Sequence, residues 1–294
     1  MGQPIVLESS QHVYAFAPEM TPAGFADSGA IVLFKTADAF NGQITSPDDT
    51  LAELNFDAVN PATGPLHVKN AQPGDILAVD ILHMSTGTTG IILTVPGSGV
   101  LRAMTDAVTR IVKIGAHWIQ FSDQVRIAKQ PMMGVIGVAT KEQRIPTGTP
   151  GRHGGNMDTR DIAAGATLYL PVFQEGGLLA MGDAHAAMGD GEVSGTGVEC
   201  TSETLVRVRV LKNQSLDWPW LDNQKERMVI VSAESLDDAT GEATEQMVRH
   251  LAQALDKGLD EAYMLMSSAG SLRISQVVDP LVTVRATIPR LYLD

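Results

Sequence analysis

Three short polar pairs dominate the segment Gly151 to Glu199: Asn156 with Asp158, Asp183 with His185, and Asp190 with Glu192. One residue separates the members of each pair, and glycine stands beside them. Residues i and i+2 of an extended segment share a face, so each pair can aim two ligating or proton-transferring groups at one point. The neighbouring glycines permit sharp turns and close approach of a ligand. Carboxylates and a neutral imidazole pointing inward from such turns fit a hydrolytic site, with a divalent metal as its natural occupant. Asp183 and His185 follow the apolar run GLLA and offer oxygen and nitrogen to one cation from a strand end. Asp158 is the best third ligand. Asp190-Gly191 reads as a turn, as most Asp-Gly pairs do.

Other nucleophiles match poorly. Ser194 in EVSGTG lacks the glycine spacing of a nucleophile elbow. Cys200 reads as buried packing. Neither the EF-hand spacing nor an HExxH motif occurs. His67, His83 and His117 lie in strand-like runs and read as structural, and His250 takes a surface-type helical position. A metal-activated or carboxylate-activated water is therefore preferred over a covalent intermediate.

The surrounding elements must position these groups. The chain has 294 residues, 44% of them hydrophobic, with 28 glycines and 5% aromatics. That composition fits a turn-rich globular protein with many short strands. Apolar runs bounded by Gly, Pro, Asp or Asn recur up to about Leu211: IVLFKT, DILAVDIL, GIILTV, AVTRIVKI, HWIQF, MGVIGVA, ATLYLPV and GLLAM. TLVRVRVLK alternates as a half-exposed strand does. The fold class expected is mainly β (α+β): packed antiparallel sheets forming a β-sandwich body over residues 1–212. Residues 213–294 add a smaller α/β layer, integral to the same fold, with a strand at RMVIVSA, a helix from Glu242 to Lys257 stopped by Gly258, a second helix from Leu259 to Ala269, and a closing strand in VDPLVTVRATIP.

A formal net charge of −13 argues against a nucleic-acid partner. The single cysteine precludes an intramolecular disulfide and a Cys-rich zinc site. No apolar stretch reaches membrane-spanning length, the N-terminus lacks a secretory pattern, and Val6 breaks the myristoylation motif that Met1-Gly2 would open. A soluble, cytoplasmic protein is expected.

The run TPGRHGGNMDTRD followed by LYLPVFQEGGLLAMGDAHAAMGDGEVSGTGVE resembles the acetamidase/formamidase family of amide hydrolases. FKTADAFNGQI, NPATGP, AQPGDILAVDI, GVIGVA and LRISQVVDPLVTVRATIP agree, so the resemblance spans nearly the whole chain. It implies hydrolysis of the C–N bond of a short amide, a β-rich fold, a divalent metal (zinc or calcium) and a homodimer or higher oligomer. The family signature falls on His153, Asn156, Asp158, Asp183, His185, Asp190, Glu192 and Glu199. Ala184 and Ser194 depart from it, where relatives often carry Gly and Cys. On this reading Asp158, Asp183 and His185 hold the metal, Glu192 or Glu199 moves the water proton, and Asn156 supports the oxyanion. His153, Asp38, Asn60 and Thr63 are expected to contact the substrate. The contrasting expectation is a metal-stabilised β-sandwich ligand-binding module without catalysis, for which few exposed aromatic platforms are available.

Overall fold

The computed structural model describes residues 3–49, 54–94, 97, 99–104 and 106–293. Met1, Gly2 and Val95, the last residue of the expected GIILTV strand, lie outside them. Two large sheets carry the fold. The nine-stranded sheet runs, from edge to edge, Ile5–Leu7, Ile31–Thr36, Ser202–Leu211, Ile76–Thr86, Thr167–Pro171, Trp220–Asp222, Glu226–Ala233, Val282–Pro289 and Ser271–Gln276. The second sheet is built around Leu179–His185, flanked by Met132–Gly137, Ala62–Val68 and Glu199–Cys200. Most pairings are antiparallel; Ile5–Leu7 with Ile31–Thr36 and Gly24–Ala26 with Ala62–Val68 are parallel.

One apolar core joins the sheets, as the sandwich expectation requires. Phe34, Val79, Leu168, Val206 and Val208 of the first sheet meet Leu66, Met133, Ile136, Leu179 and Met181 of the second. Each side chain buried this way contributes about 1.5–3 kcal/mol. A third layer covers the other face of the nine-stranded sheet: helices α1 (Leu236–Leu255) and α2 (Leu259–Ala269) pack on Val229, Val231, Val284, Ala286 and Ile288. Met228 to Val231 within RMVIVSA are apolar without a break because both faces of the strand are buried there. Met228 and Ile230 turn to the inter-sheet core, Val229 and Val231 to the helices.

The helical boundaries differ from expectation. Helix α1 starts at Leu236, six residues before Glu242, because the Ser235 hydroxyl accepts from the Asp238 N–H and Asp237 and Asp238 suit the positive end of the helix dipole. LDDATG resembles a turn in isolation, yet Gly241 sits within the helix. Its C-cap is Asp256 in the left-handed region (φ 53°), and Gly258 is instead the N-cap of α2. His250 is not simply a surface residue: its ring packs 4.8 Å from that of Trp220. No helix among the described residues is long and apolar enough to cross a membrane.

Candidate metal centre and active site

Strand register assembles the site. Leu179–His185 lies between Met132–Gly137 and Glu199–Cys200, with His185 opposite both Met132 and Glu199. On the far side of Met132–Gly137, Asn156 is opposite Val135. The ladder pairs Met133 with Ala184 and Val135 with Gly182 and passes over Gly134 and Asp183. Asp183 departs from extended geometry there, with φ at 55°, and Asp158 (φ 40°) and Glu192 (φ 47°) are also left-handed. Asp183 and His185 thus converge through a local twist in the strand rather than through simple alternation. Such conformations are uncommon for non-glycine residues and gather at functional sites. Gly134 supplies the room: a Cβ there would lie 2.5 Å from Asp158 Oδ1 and 2.7 Å from the Asp183 carbonyl oxygen.

Asp158, Asp183, His185, Glu192 and Glu199 are all buried. His185 Nε2 lies 3.1 Å from Glu199 Oε2, 3.4 Å from Asp183 Oδ1 and 3.7 Å from Asp158 Oδ1. None of these contacts has hydrogen-bond alignment: both imidazole nitrogens, both Asp158 oxygens, Asp183 Oδ1 and Glu199 Oε2 are buried without a hydrogen-bond partner. Glu199 is oriented through its other oxygen, which accepts from the Gly197 N–H at 2.8 Å. Two triads have ligand atoms close enough to share a cation, Asp158–Asp183–His185 and His185–Glu192–Glu199. Buried polar atoms ordinarily have partners, so this donor set fits a divalent ion.

The electrostatics are those of crowded buried acids around one imidazole. Burial pushes the Asp158 carboxyl up to about 7, against the pull of His185. Burial likewise takes Glu199 up to about 8 and holds Glu192 well above the carboxylate range, the latter helped by Asp158. For Asp183, burial is outweighed by the adjacent His185, and its carboxyl is lowered. Burial opposes charge on His185, but Glu199 and Asp183 raise it well above its ordinary value.

The remaining expected residues divide. Asn156 is buried with Oδ1 unpartnered. His153 is buried against the edge of Phe16, 5.0 Å between ring centroids, and burial lowers it to about 4, so it is neutral at pH 7. Thr63 donates its hydroxyl to the Lys35 carbonyl. Asp38 accepts from the Phe40 and Gly42 N–H groups and so caps its own turn. Asn60 is left-handed at φ 51°, with its N–H on the Ala39 carbonyl. Cys200 is buried packing, its thiol pushed up to about 12 by burial. Asp190 stands in the expected turn, closed by the Glu192 N–H on the Gly189 carbonyl, and its carboxylate also accepts from Arg285 Nη2 at 2.7 Å. Residue-level reading of the sequence missed Asp279, whose Oδ2 is buried without a partner. It stands in the turn between the last two strands, and its Asp-Pro sequence signals a turn alone.

Comparison with known proteins agrees with this architecture. A model of the acetamidase/formamidase family matches residues 3–146 and 143–293. The structure is similar to the crystal structure of an acetamidase from Bacillus halodurans, with 41% identity, 98% of each chain covered and a TM-score of 0.96. It is also similar to a predicted acetamidase/formamidase from Thermoanaerobacter tengcongensis, at 42% identity, 99% and 97% coverage and a TM-score of 0.96. A formamidase from Methylophilus methylotrophus is 25% identical over 256 residues, covering 64% of this chain and 63% of that one. The chain spans less than two thirds of the length of the curated relatives it matches. With the match extending along nearly all of its described length, the chain belongs to the acetamidase/formamidase family.

Proposed function

We propose that this protein hydrolyses the C–N bond of a short linear amide, of the formamide or acetamide kind, to ammonia and a carboxylate. The observation that carries the reading is the convergence of buried, unpartnered carboxylate and imidazole atoms in a chain of the acetamidase/formamidase family. Asp158, Asp183 and His185 would hold a divalent cation, zinc or calcium, and their mixed oxygen and nitrogen donors suit such an ion. When bound, the ion polarises the amide carbonyl or lowers the pKa of water.

The chain's own groups supply the rest. Glu192, with Glu199 as the alternative, takes the proton of the attacking water and returns it to the departing nitrogen, which leaves as ammonia. Both carboxyls are held above the ordinary range, which suits a group that must accept and then donate near neutrality. The Asn156 amide is the side-chain donor for the tetrahedral oxyanion, and one such donor is worth ~3 kcal/mol. His153 stays neutral and contributes shape and hydrogen bonding without charge.

The test is ammonia release from formamide and acetamide by purified protein, before and after chelation and with Zn²⁺ or Ca²⁺ restored. Activity lost on chelation and recovered on add-back is expected. Full activity in Asp183→Ala or His185→Ala would remove the metal-site assignment, and no turnover across a panel of short amides would remove the reaction.

A further inference from the structure

We propose that the groove between the C-terminal half of α1 and the nine-stranded sheet binds an organic carboxylate with an apolar body, the carboxylate being taken by Arg227 and His250. No residue of the acidic cluster lines this groove, and the inference does not depend on the metal reading. The groove has a volume of about 800 Å³, far more than formate or acetate fills. Its floor is the sheet, where the ladders set Leu211 opposite Ile76, Tyr169 opposite Trp220 and Arg227 opposite Asp222. His250 of α1 stands on one side and the connection over residues 213–216 on the other.

Arg227 is held there with donors to spare. Its guanidinium lies 5.2 Å from the centre of the Trp220 ring and 5.8 Å from that of Tyr169, and the aromatic faces fix its orientation. Asp222 engages Nη1 alone, at 3.0 Å. Nε is buried without a hydrogen-bond partner, and Nη2 bonds to no described residue. Asp222 is itself occupied, since the Tyr169 hydroxyl donates to its Oδ2 at 3.2 Å. The His250 ring packs on Trp220 with 4.8 Å between centroids. Burial and the Arg227 charge lower His250 to about 4, so at pH 7 it is neutral and offers one N–H. No acidic side chain lines the groove among the described residues, although the chain carries 34 acids against 21 bases. A carboxylate, which only accepts, complements an underused guanidinium beside an imidazole N–H. A cationic ligand would meet repulsion from Arg227 and no counter-charge on the lining. Ile76, Leu211 and Leu216 make part of the lining apolar, and covering them takes hydrocarbon attached to the carboxylate. Inorganic phosphate leaves that surface wet.

The experiment is isothermal titration of the full-length protein with hexanoate, acetate and inorganic phosphate. Chelator is present throughout, so that a cation in the acidic cluster does not bind the carboxylate. Saturable binding of hexanoate at one site is expected, with acetate and phosphate about tenfold weaker or more, because the longer chain buries several more methylenes. Arg227→Met should weaken hexanoate about tenfold or more, and His250→Ala about threefold. His250→Ala leaves the Arg227–Asp222 pair in place and decides the matter if Arg227→Met does not fold. Absence of hexanoate binding by wild type would overturn the proposal. So would wild-type affinity in either folded variant, or phosphate binding as tightly as hexanoate.

Discussion

Two sets of buried charge lie side by side in this molecule and are built on opposite terms. Arg285, one of the largest fully buried side chains, has its cation matched in charge: Nη2 donates to Asp190 at 2.7 Å, Nη1 donates to the Ile274 carbonyl at 3.0 Å, and Nε lies 2.8 Å from Asp161 Oδ2 as an ion pair without hydrogen-bond alignment. The neighbouring cluster of Asp158, Asp183, Glu192, Glu199 and His185 has more acids than one imidazole can balance, and many of its atoms have no hydrogen-bond partner. Buried charge is costly unless paired and hydrogen-bonded. A matched set can therefore serve the fold alone, whereas an unmatched set is a cost that proton retention or a bound cation must offset. The matched set also positions the other, since Asp161 and Asp190 bracket the segments bearing Asp158 and Glu192.

Substitutions can break that contrast. The largest effect is expected for His185→Ala, which removes the only cluster nitrogen: ammonia release should fall on the order of 10³-fold, because a catalytic cation supplies several kcal/mol. The far-ultraviolet circular dichroism spectrum should remain that of wild type. Arg285→Met should act on stability instead, costing roughly 3 kcal/mol in urea denaturation. This is the low end for a broken buried pair, because Asp161 and Asp190 retain some access to water. An inactive Arg285→Met protein of unaltered stability would contradict the division. Gly134→Ala tests the packing of the unmatched set. Its Cβ would press on Asp158 Oδ1 and the Asp183 carbonyl, and a displacement of that kind is expected to cost ~10² in kcat/KM. Wild-type kcat/KM in this variant would show that the carboxylates are not held where catalysis needs them.

The pH dependence of the cation-free protein has a defined sign. Asp158, raised from 3.8 to about 7, and Glu199, raised from 4.5 to about 8, keep protons in the fold that the unfolded chain has released. Their contribution is full below the ordinary values and is lost as pH rises through the folded ones. The raised His185 loses its contribution in the same direction at higher pH. Lowered Asp183 acts oppositely, its contribution lost only as pH falls below the ordinary carboxylate value. Thermal midpoints measured with chelator present should therefore decline from about pH 5 to about pH 8, and saturating Zn²⁺ or Ca²⁺ should flatten the decline. A flat profile without the cation would mean that the acids are not unmatched.

The contrast also separates what the sequence reveals from what it conceals. Asp158, Asp183 and His185 could be singled out because short spacing and glycine neighbours are local signals. The sandwich was visible in the recurrence of bounded apolar runs. The turn at Asp190 was legible but its ion pair was not, because Arg285 lies 95 positions away and is brought near where Gly191 bridges to Gln276. Asp279 was hidden for the same reason, and the role of Gly134 depends on what faces it across the ladder. The start of α1 was missed for a different cause: LDDATG has the composition of a turn, and the Ser235 cap decides the matter.

The smallest effect gives the sharpest comparison, since one chemical change is made in each set. Asp190→Asn removes a charge from a partner whose side chain is 36% exposed, and the amide carbonyl can still accept from Arg285. A loss of no more than about 1 kcal/mol is expected. Asp158→Asn removes a charge from a carboxyl that burial already drives toward its neutral form. In cation-free protein near pH 8 it should raise the thermal midpoint, because the neutral amide escapes the burial cost of the carboxylate and its repulsion from Asp183, which together outweigh the pull of His185. The two aspartates thus give opposite signs for the same substitution. If both variants shift the midpoint in one direction, the distinction between a matched and an unmatched set does not describe this protein.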